Sequence, residues 1–420
     1  MSPRLWSFVL NFYGQKTRLA LMALLASLAV LFLQASQAQA TNWYVSKLGN
    51  NKDGTNWTNA WNEMNQIVWS RINAGDKVYV DGGSSQMIYN KPLYITHGGN
   101  STGDIVMTNS SDTGRYGQVV IDGVTQSGVG VTFNCSHVRI DGLATNVEGF
   151  LIRNWGTGIV VASTAQQDLV SYSEITNNKR GVNTQGIFNL DDSIIHDNSL
   201  GNIIQYSPPT TGSQWSSYLT LVEDWIYNSS YATSTATING LDLVGNGQST
   251  YWGVTNLYQC VLGPCLKYGI YANTANNILQ VQNCLLLDVT QAGVRTVQSC
   301  TLQNVTSFMT PHNPFGQGHN CFNVPVNTSV TNSVFYGGNV IAPAGTHLGS
   351  PNDQFKTTGN TTALSSSEVD PQFLTDVSGY DGAVSAATLE AADFTVRTGG
   401  IPTGSSVYSV GSWHKLVFGH

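Results

Sequence analysis

Val170-Ser171-Tyr172-Ser173-Glu174-Ile175 and Leu190-Asp191-Asp192-Ser193-Ile194-Ile195 share one pattern. An apolar residue is followed by two polar ones, then a small residue, any residue, and a large apolar one. The pattern returns at Val222–Tyr227 around Trp225, at Leu257–Leu262 around Cys260 and at Val281–Leu286 around Cys284. Two further copies are Val297–Leu302 around Cys300 and Val330–Phe335 around Ser333. Successive fourth positions lie 20, 32, 35, 24, 16 and 33 residues apart. A fixed pattern at uneven intervals is what stacked coils produce, because surplus residues leave each coil as loops. The strands of one coil are too short to bury a face alone, so coils stack at ~4.8 Å and share a core. The expected fold is all-β: a right-handed parallel β-helix solenoid of about ten coils.

Positions one, four and six are expected to face inward. Val170, Leu190, Val222, Leu257, Val281, Val297 and Val330 then form one column. Cys260, Cys284 and Cys300 fill the corner as small core residues, although pairing of Cys260 with Cys265 or Cys284 stays open. Gly181-Val182, Gly201-Asn202-Ile203, Gly269-Ile270 and Gly293-Val294 follow the small residue by eight or nine positions. They mark the bend into the next strand, where glycine supplies conformations that other residues resist. Composition agrees: charged residues are only 10% of the chain, and β-branched residues are plentiful.

Residues 1–40 read as a cleavable signal peptide. Arg4, Lys16 and Arg18 accompany the apolar run Leu19–Leu33, and Ala38-Gln39-Ala40 offers small residues for cleavage. The run is short for a membrane span, which needs ~20 residues. Residues 41–420 are then a single β-helix domain, with 41–80 as N-terminal cap and first strands and 340–420 as an irregular closure. A short helix over Ala60–Ile72 is expected to shield the first coil from edge pairing. The expected protein is secreted (extracellular or periplasmic), free of the membrane once the leader is gone, and monomeric. Loss of the three basic leader residues takes the formal charge from −7 to −10, since the leader carries no acidic residue. That charge disfavours nucleic acid and acidic membrane surfaces as partners.

Position two faces outward beside the turn. In this register Asp191 and Glu223 fall on consecutive coils, with backbones ~4.8 Å apart. Stacked carboxylates share either a proton or a cation. The pair therefore suits glycoside hydrolysis, or Ca²⁺ with Asp191 and Glu223 as ligands. Asn189 and Asn256 lie two positions earlier on the same face, and Tyr258 follows Glu223 by one coil. Trp215 sits in a long interval beside Tyr206, and Tyr231 in the next. These residues would line a groove for sugar rings. Secondary candidates are Glu174, Lys179 and Arg180, and His196 beside Asp197. His312, His319 and Cys321 fit no standard zinc spacing.

The chain resembles the right-handed β-helix group that includes pectate lyases, polygalacturonases and related bacterial proteins. The resemblance rests on Tyr44-Val45-Ser46 to Trp57, on Ala60-Trp61 and on Gly75-Asp76-Lys77-Val78. It continues in the Ile-Asp-Gly runs at Ile121 and Ile140 and in the Asn-Cys-x-Leu coil at Cys284, and ends at Val369-Asp370-Pro371 and Asp393-Phe394. Such proteins include lyases, hydrolases, epimerases and members without known catalysis, so the resemblance implies fold more than reaction. Of the polygalacturonase signature only Asp191-Asp192 has a counterpart. The Glu174–Lys179 spacing matches that of calcium-dependent lyases, but Tyr172 stands where their second Glu belongs. The expected function is a secreted carbohydrate-active protein acting on a polysaccharide, as hydrolase or calcium-assisted lyase. The alternative is a non-catalytic structural, adhesive or glycan-binding solenoid.

Overall fold

The computed structural model describes residues 40–142, 148–206, 217–228, 238–245, 253–264, 266–272, 277–287, 289–309, 320–325, 328–331, 333–337, 339–341, 347–348, 353–355 and 358–359. Among the described residues, thirty-four short strands form three parallel sheets of 12, 11 and 11 strands, called here sheets I, II and III. After the first strand, Asn42–Val45, the chain visits I, II and III in strict rotation through eleven coils. This is a right-handed parallel β-helix, as the pattern predicts. The final strands His347–Leu348, Asp353–Phe355 and Thr358–Gly359 still extend the three sheets. Coil stacking thus runs past residue 340, where the sequence suggests irregular closure.

Sheet I sets the core column: Trp43, Val78, Met107, Ile140, Val170, Leu190, Leu221, Leu257, Val281, Leu302 and Val330 pair in succession. Two members correct the sequence register. Leu221, not Val222, stacks between Leu190 and Leu257, and Leu302, not Val297, follows Val281. Val297 is instead 47% exposed. At the first site the small corner is taken by buried Asp224, which moves Trp225 onto the outer face. At the second the corner falls on Val305, and Cys300 sits in a sheet I strand opposite Leu279.

The corner between sheets I and II explains why the pattern exists. From Ser171 onward one residue per coil turns it in a left-handed conformation: Tyr172, Asp192, Glu223, Gln259, Asn283 and Asn304, with φ between 48° and 58°. The small residue that follows donates back to the carbonyl two residues earlier. Ser173, Ser193 and Ser333 do so with hydroxyls at 2.9–3.0 Å, and Cys260 and Cys284 with thiols at 3.4 and 3.2 Å. A hydroxyl or a compact thiol both satisfy this carbonyl, which is why Ser and Cys interchange. Cys135, Cys260, Cys284, Cys300 and Cys321 are free, and Cys265 lies outside the described residues.

The glycines of sheet III serve spacing more than conformation. A Cβ on Gly269 or Gly293 would meet the next coil's carbonyl oxygen at 2.6–2.7 Å. Where that place is filled by Asn202, its amide enters a buried polar ladder with Asn198 and Asn178. In place of the expected cap helix stand two 3-10 turns, Met64–Gln66 and Trp69–Arg71. Neither has a side-chain N-cap, and the β-branched pair Ile67-Val68 between them disfavours a continued helix. Trp61, Met64, Trp69 and Ile72 are nonetheless buried over the first coil, with Trp61 stacked on Trp43 at 5.6 Å.

The corrected register is directly measurable. Leu221→Ala should cost about 2–5 kcal/mol, as for a fully buried leucine, and lower the urea midpoint clearly. Val222→Ala should stay within about 1 kcal/mol. The opposite ranking would restore the register of the sequence pattern.

Candidate functional site

Asp191 ends the sheet I strand Ile187–Asp191 and faces outward. Its neighbour on the next coil is Val222, and Tyr258 lies one coil further. Glu223 is a corner residue and meets Asp192, the corner residue of the preceding coil, instead. The expected direct Asp191–Glu223 pair is therefore replaced by a three-carboxylate corner, because the register shifts by one residue at Leu221. Partial burial, then the Asp192 charge and a side-chain hydrogen bond with Asp192, then the Asp191 charge, raise the Glu223 carboxyl above its ordinary range. Asp191 is raised by burial and by Asp192, against the opposing pull of Arg139. Tyr172, on the coil before Asp192, is pushed up to about 12 by the Asp192 charge, by burial and by a hydrogen bond to Asp192. Among the described residues no three His, Cys, Asp or Glu side chains are arranged to hold a metal ion. The corner thus has a cation's charge complement without a ligand set. It is also a ridge, turned by one or two residues in every coil from Ser171 to Thr306.

Asn189 and Asn256 do share the outer face of sheet I, two coils apart with Thr220 between them. Trp215 and Tyr231 lie outside the described residues, as do His312 and His319. Glu174 and His196 come together on the outer face of sheet II. The His196 ring sits between Glu174 Oε1 at 3.0 Å and Asp197 Oδ2 at 2.8 Å, and stacks on Tyr227. Burial opposes its charge, but the two carboxylates outweigh that and raise the imidazole to about 9. A ring charged at neutral pH is an ion-pair centre and cannot act as a general base there. Its two carboxylates also occupy opposite ring nitrogens, so they do not converge on one cation. Lys179 is exposed in the turn before sheet III, and Arg180 begins the sheet III strand Arg180–Thr184.

A different constellation lies on sheet III. Its outward column reads Asn183, Ile204, Asp242, Tyr271, Arg295 and Asn323 on successive coils. Tyr268 and Tyr271 stack at 4.7 Å and 19°. The Arg295 guanidinium lies 5.6 Å from both ring centroids, and Lys267 Nζ is 5.4 Å from that of Tyr268. Asp242 accepts a hydrogen bond from Asn239. Burial raises its carboxyl, while Asn239 and the Lys267 charge pull the other way. Two cations, a tyrosine pair and a carboxyl raised above its ordinary range thus come together on one sheet. Long connections also gather at the edges of this sheet. Thirteen residues separate Tyr227 from Leu241 on entry, and ten separate Tyr206 from Ser217 on exit. Lys267 and Arg295 match no motif, so a reading of the sequence by motif does not single them out. A usable signal is nonetheless present: in Gly181-Val182-Asn183, Gly269-Ile270-Tyr271 and Gly293-Val294-Arg295 the residue two after the glycine faces outward.

No family model and no curated protein matches the chain. Among solved structures, a rhamnogalacturonan lyase is 12% identical with a TM-score of 0.46, covering 80% of this chain and 91% of that one. Pectate lyase Pel9A is 13% identical with a TM-score of 0.43, covering 88% and 91%. An alginate lyase from Paenibacillus sp. str. FPU-7 is 13% identical with a TM-score of 0.38, covering 68% and 93%. The fold assignment stands on this chain's own strand order.

Buried acids outside these clusters set a pH dependence. Asp168 accepts the Val138 amide at 2.9 Å through Oδ1, and burial raises its carboxyl to about 8. A folded-state value above the unfolded one gives stability that is full below the unfolded value and lost as pH rises through the folded value. Asp168 therefore loses its contribution between about 4 and about 8, and His196 between about 6.5 and about 9. At Asp122 burial favours the proton, but hydrogen bonds from Asn154, Val124 and Arg153 outweigh it and lower the carboxyl. That group acts the other way, losing its contribution on acidification. Melting temperature should peak in mild acid and fall towards pH 9. Asp168→Asn, which keeps the Oδ1 acceptor, should flatten the fall up to pH 8. An unchanged profile in that variant would show that Asp168 is not held protonated.

Proposed function

We propose that the protein is a secreted polysaccharide-processing enzyme that binds an anionic polysaccharide chain across the outer face of sheet III. The observation that carries this reading is the Arg295–Tyr268–Tyr271–Lys267 assembly. The partly exposed Tyr271 ring, backed by the buried Tyr268, suits the apolar face of a sugar, and an arginine fork suits carboxylates. The chain is acidic overall, and the carboxylates of the sheet I–II corner and of the Glu174–His196–Asp197 cluster lie on other faces. Two cations on one face of an acidic molecule give an anionic polymer a preferred seat. Chemistry at this seat would use Asp242, whose raised carboxyl suits proton donation, with Lys267 and Arg295 neutralising the substrate's charge. In this reading Asp191, Asp192 and Glu223 belong to the structural corner rather than to the reaction. Export would follow cleavage after Ala40, leaving Thr41 as the first residue.

The test is a panel of anionic and neutral polysaccharides, with binding, reducing ends and ultraviolet-absorbing unsaturated products all followed. Arg295→Gln and Lys267→Gln should each weaken binding to the responsive polymer by about tenfold or more, roughly the 1.4 kcal/mol of one lost charged contact. Asp191→Asn and Glu223→Gln should leave it unchanged. The reverse pattern would move the site to the sheet I–II corner. Binding without any product would make the protein a glycan-binding solenoid.

A further inference from the structure

Arg295 is held in place by more than its own strand. Its Nη1 donates to the Tyr268 hydroxyl at 2.7 Å, and that hydroxyl donates in turn to Gln291 Oε1. A phenol has one proton to give, so with Gln291 taking it the hydroxyl is left as an acceptor facing the guanidinium. Gln291 is itself fixed between coils, its backbone amide donating to the Lys267 carbonyl at 2.8 Å. Tyr268 is only 4% exposed, and its neighbour on the next coil is Ala292. The small side chain there leaves room for the ring beside Arg295. One of the five guanidinium donors is therefore committed to the protein, and the rings lie within cation–π range of the charge.

We propose that Tyr268, braced by Gln291, is the positioning residue that makes this site selective for carboxylated sugars. It aims the remaining donor fork of Arg295 at a planar carboxylate, so that little side-chain freedom is lost on binding. This assignment rests on the sheet III reading above and adds the residue that determines its specificity. A purely structural tyrosine would affect all ligands alike.

The test uses the full chain with alginate and polygalacturonate, each beside its carboxyl-reduced form. Tyr268→Phe keeps the ring stack and removes only the hydroxyl. It should reduce the preference for the carboxylated over the reduced polymer by about tenfold. Binding of the reduced form should stay as in the unaltered protein, and the melting temperature should fall only by the few degrees that the lost buried hydroxyl costs. Arg295→Lys, which keeps the charge but not the fork, should lose the preference to a similar degree. If Arg295→Gln abolishes the preference while Tyr268→Phe retains it in full, the positioning role is wrong and the sheet III site stands. If the unaltered protein binds none of the four polymers, both the site and the assignment fall.

Discussion

Everything in this molecule depends on the ladder of backbone hydrogen bonds that joins each coil to the next. The ladder fixes coil spacing at ~4.8 Å and forces each residue to lie over its counterpart one coil away. Chemistry is therefore arranged in columns. An inward column must be apolar or self-satisfied along its length, and an outward column brings the side chains of successive coils into contact. The corner between sheets I and II shows both effects. Its small residues close a bond to the carbonyl two residues back, while its outward carboxylates crowd until the Glu223 carboxyl is raised above its ordinary range.

The same constraint decides how much can be read without coordinates. Alternation and corner pattern reveal the solenoid because they recur at every coil, and the free thiols Cys260 and Cys284 take their expected places. Register is lost where a corner departs from its usual chemistry. Before Trp225 the corner residue is Asp224, whose Oδ1 accepts the Ser193 amide as a serine hydroxyl does elsewhere. A carboxylate in that place looks polar in sequence, so the pattern slides by one residue and sets Glu223 beside Asp191. After Leu302 the corner is Val305, and Cys300 imitates a copy of the pattern five residues early. The cap departs from expectation for a local reason: Trp61 bridges Val45 as a strand residue, and Met64 and Trp69 sit on separate 3-10 turns.

The proposed site is harder to see than the fold because its members are joined only through sheet III. Asp242, Tyr271 and Arg295 come from three coils, and the intervals between them depend on connections of unequal length. Their common feature is the glycine two residues before each. A Cβ on Gly240, Gly269 or Gly293 would meet the next coil's carbonyl oxygen at 2.6–2.7 Å, so these glycines answer to close approach rather than to conformational freedom. The carboxylates that stand out in sequence are instead explained by their turn. A left-handed corner residue favours short polar side chains, and a run of such corners gathers acids in one row.

In the proposed reading the working face is sheet III and not the acidic ridge. Hydrogen–deuterium exchange of the full chain, with and without the anionic polymer it binds, tests this most directly. Added protection should fall on residues 268–272 and 292–296, with residues 187–191, 217–223 and 253–258 unchanged. Protection confined to those sheet I segments, with sheet III unaltered, would contradict the assignment.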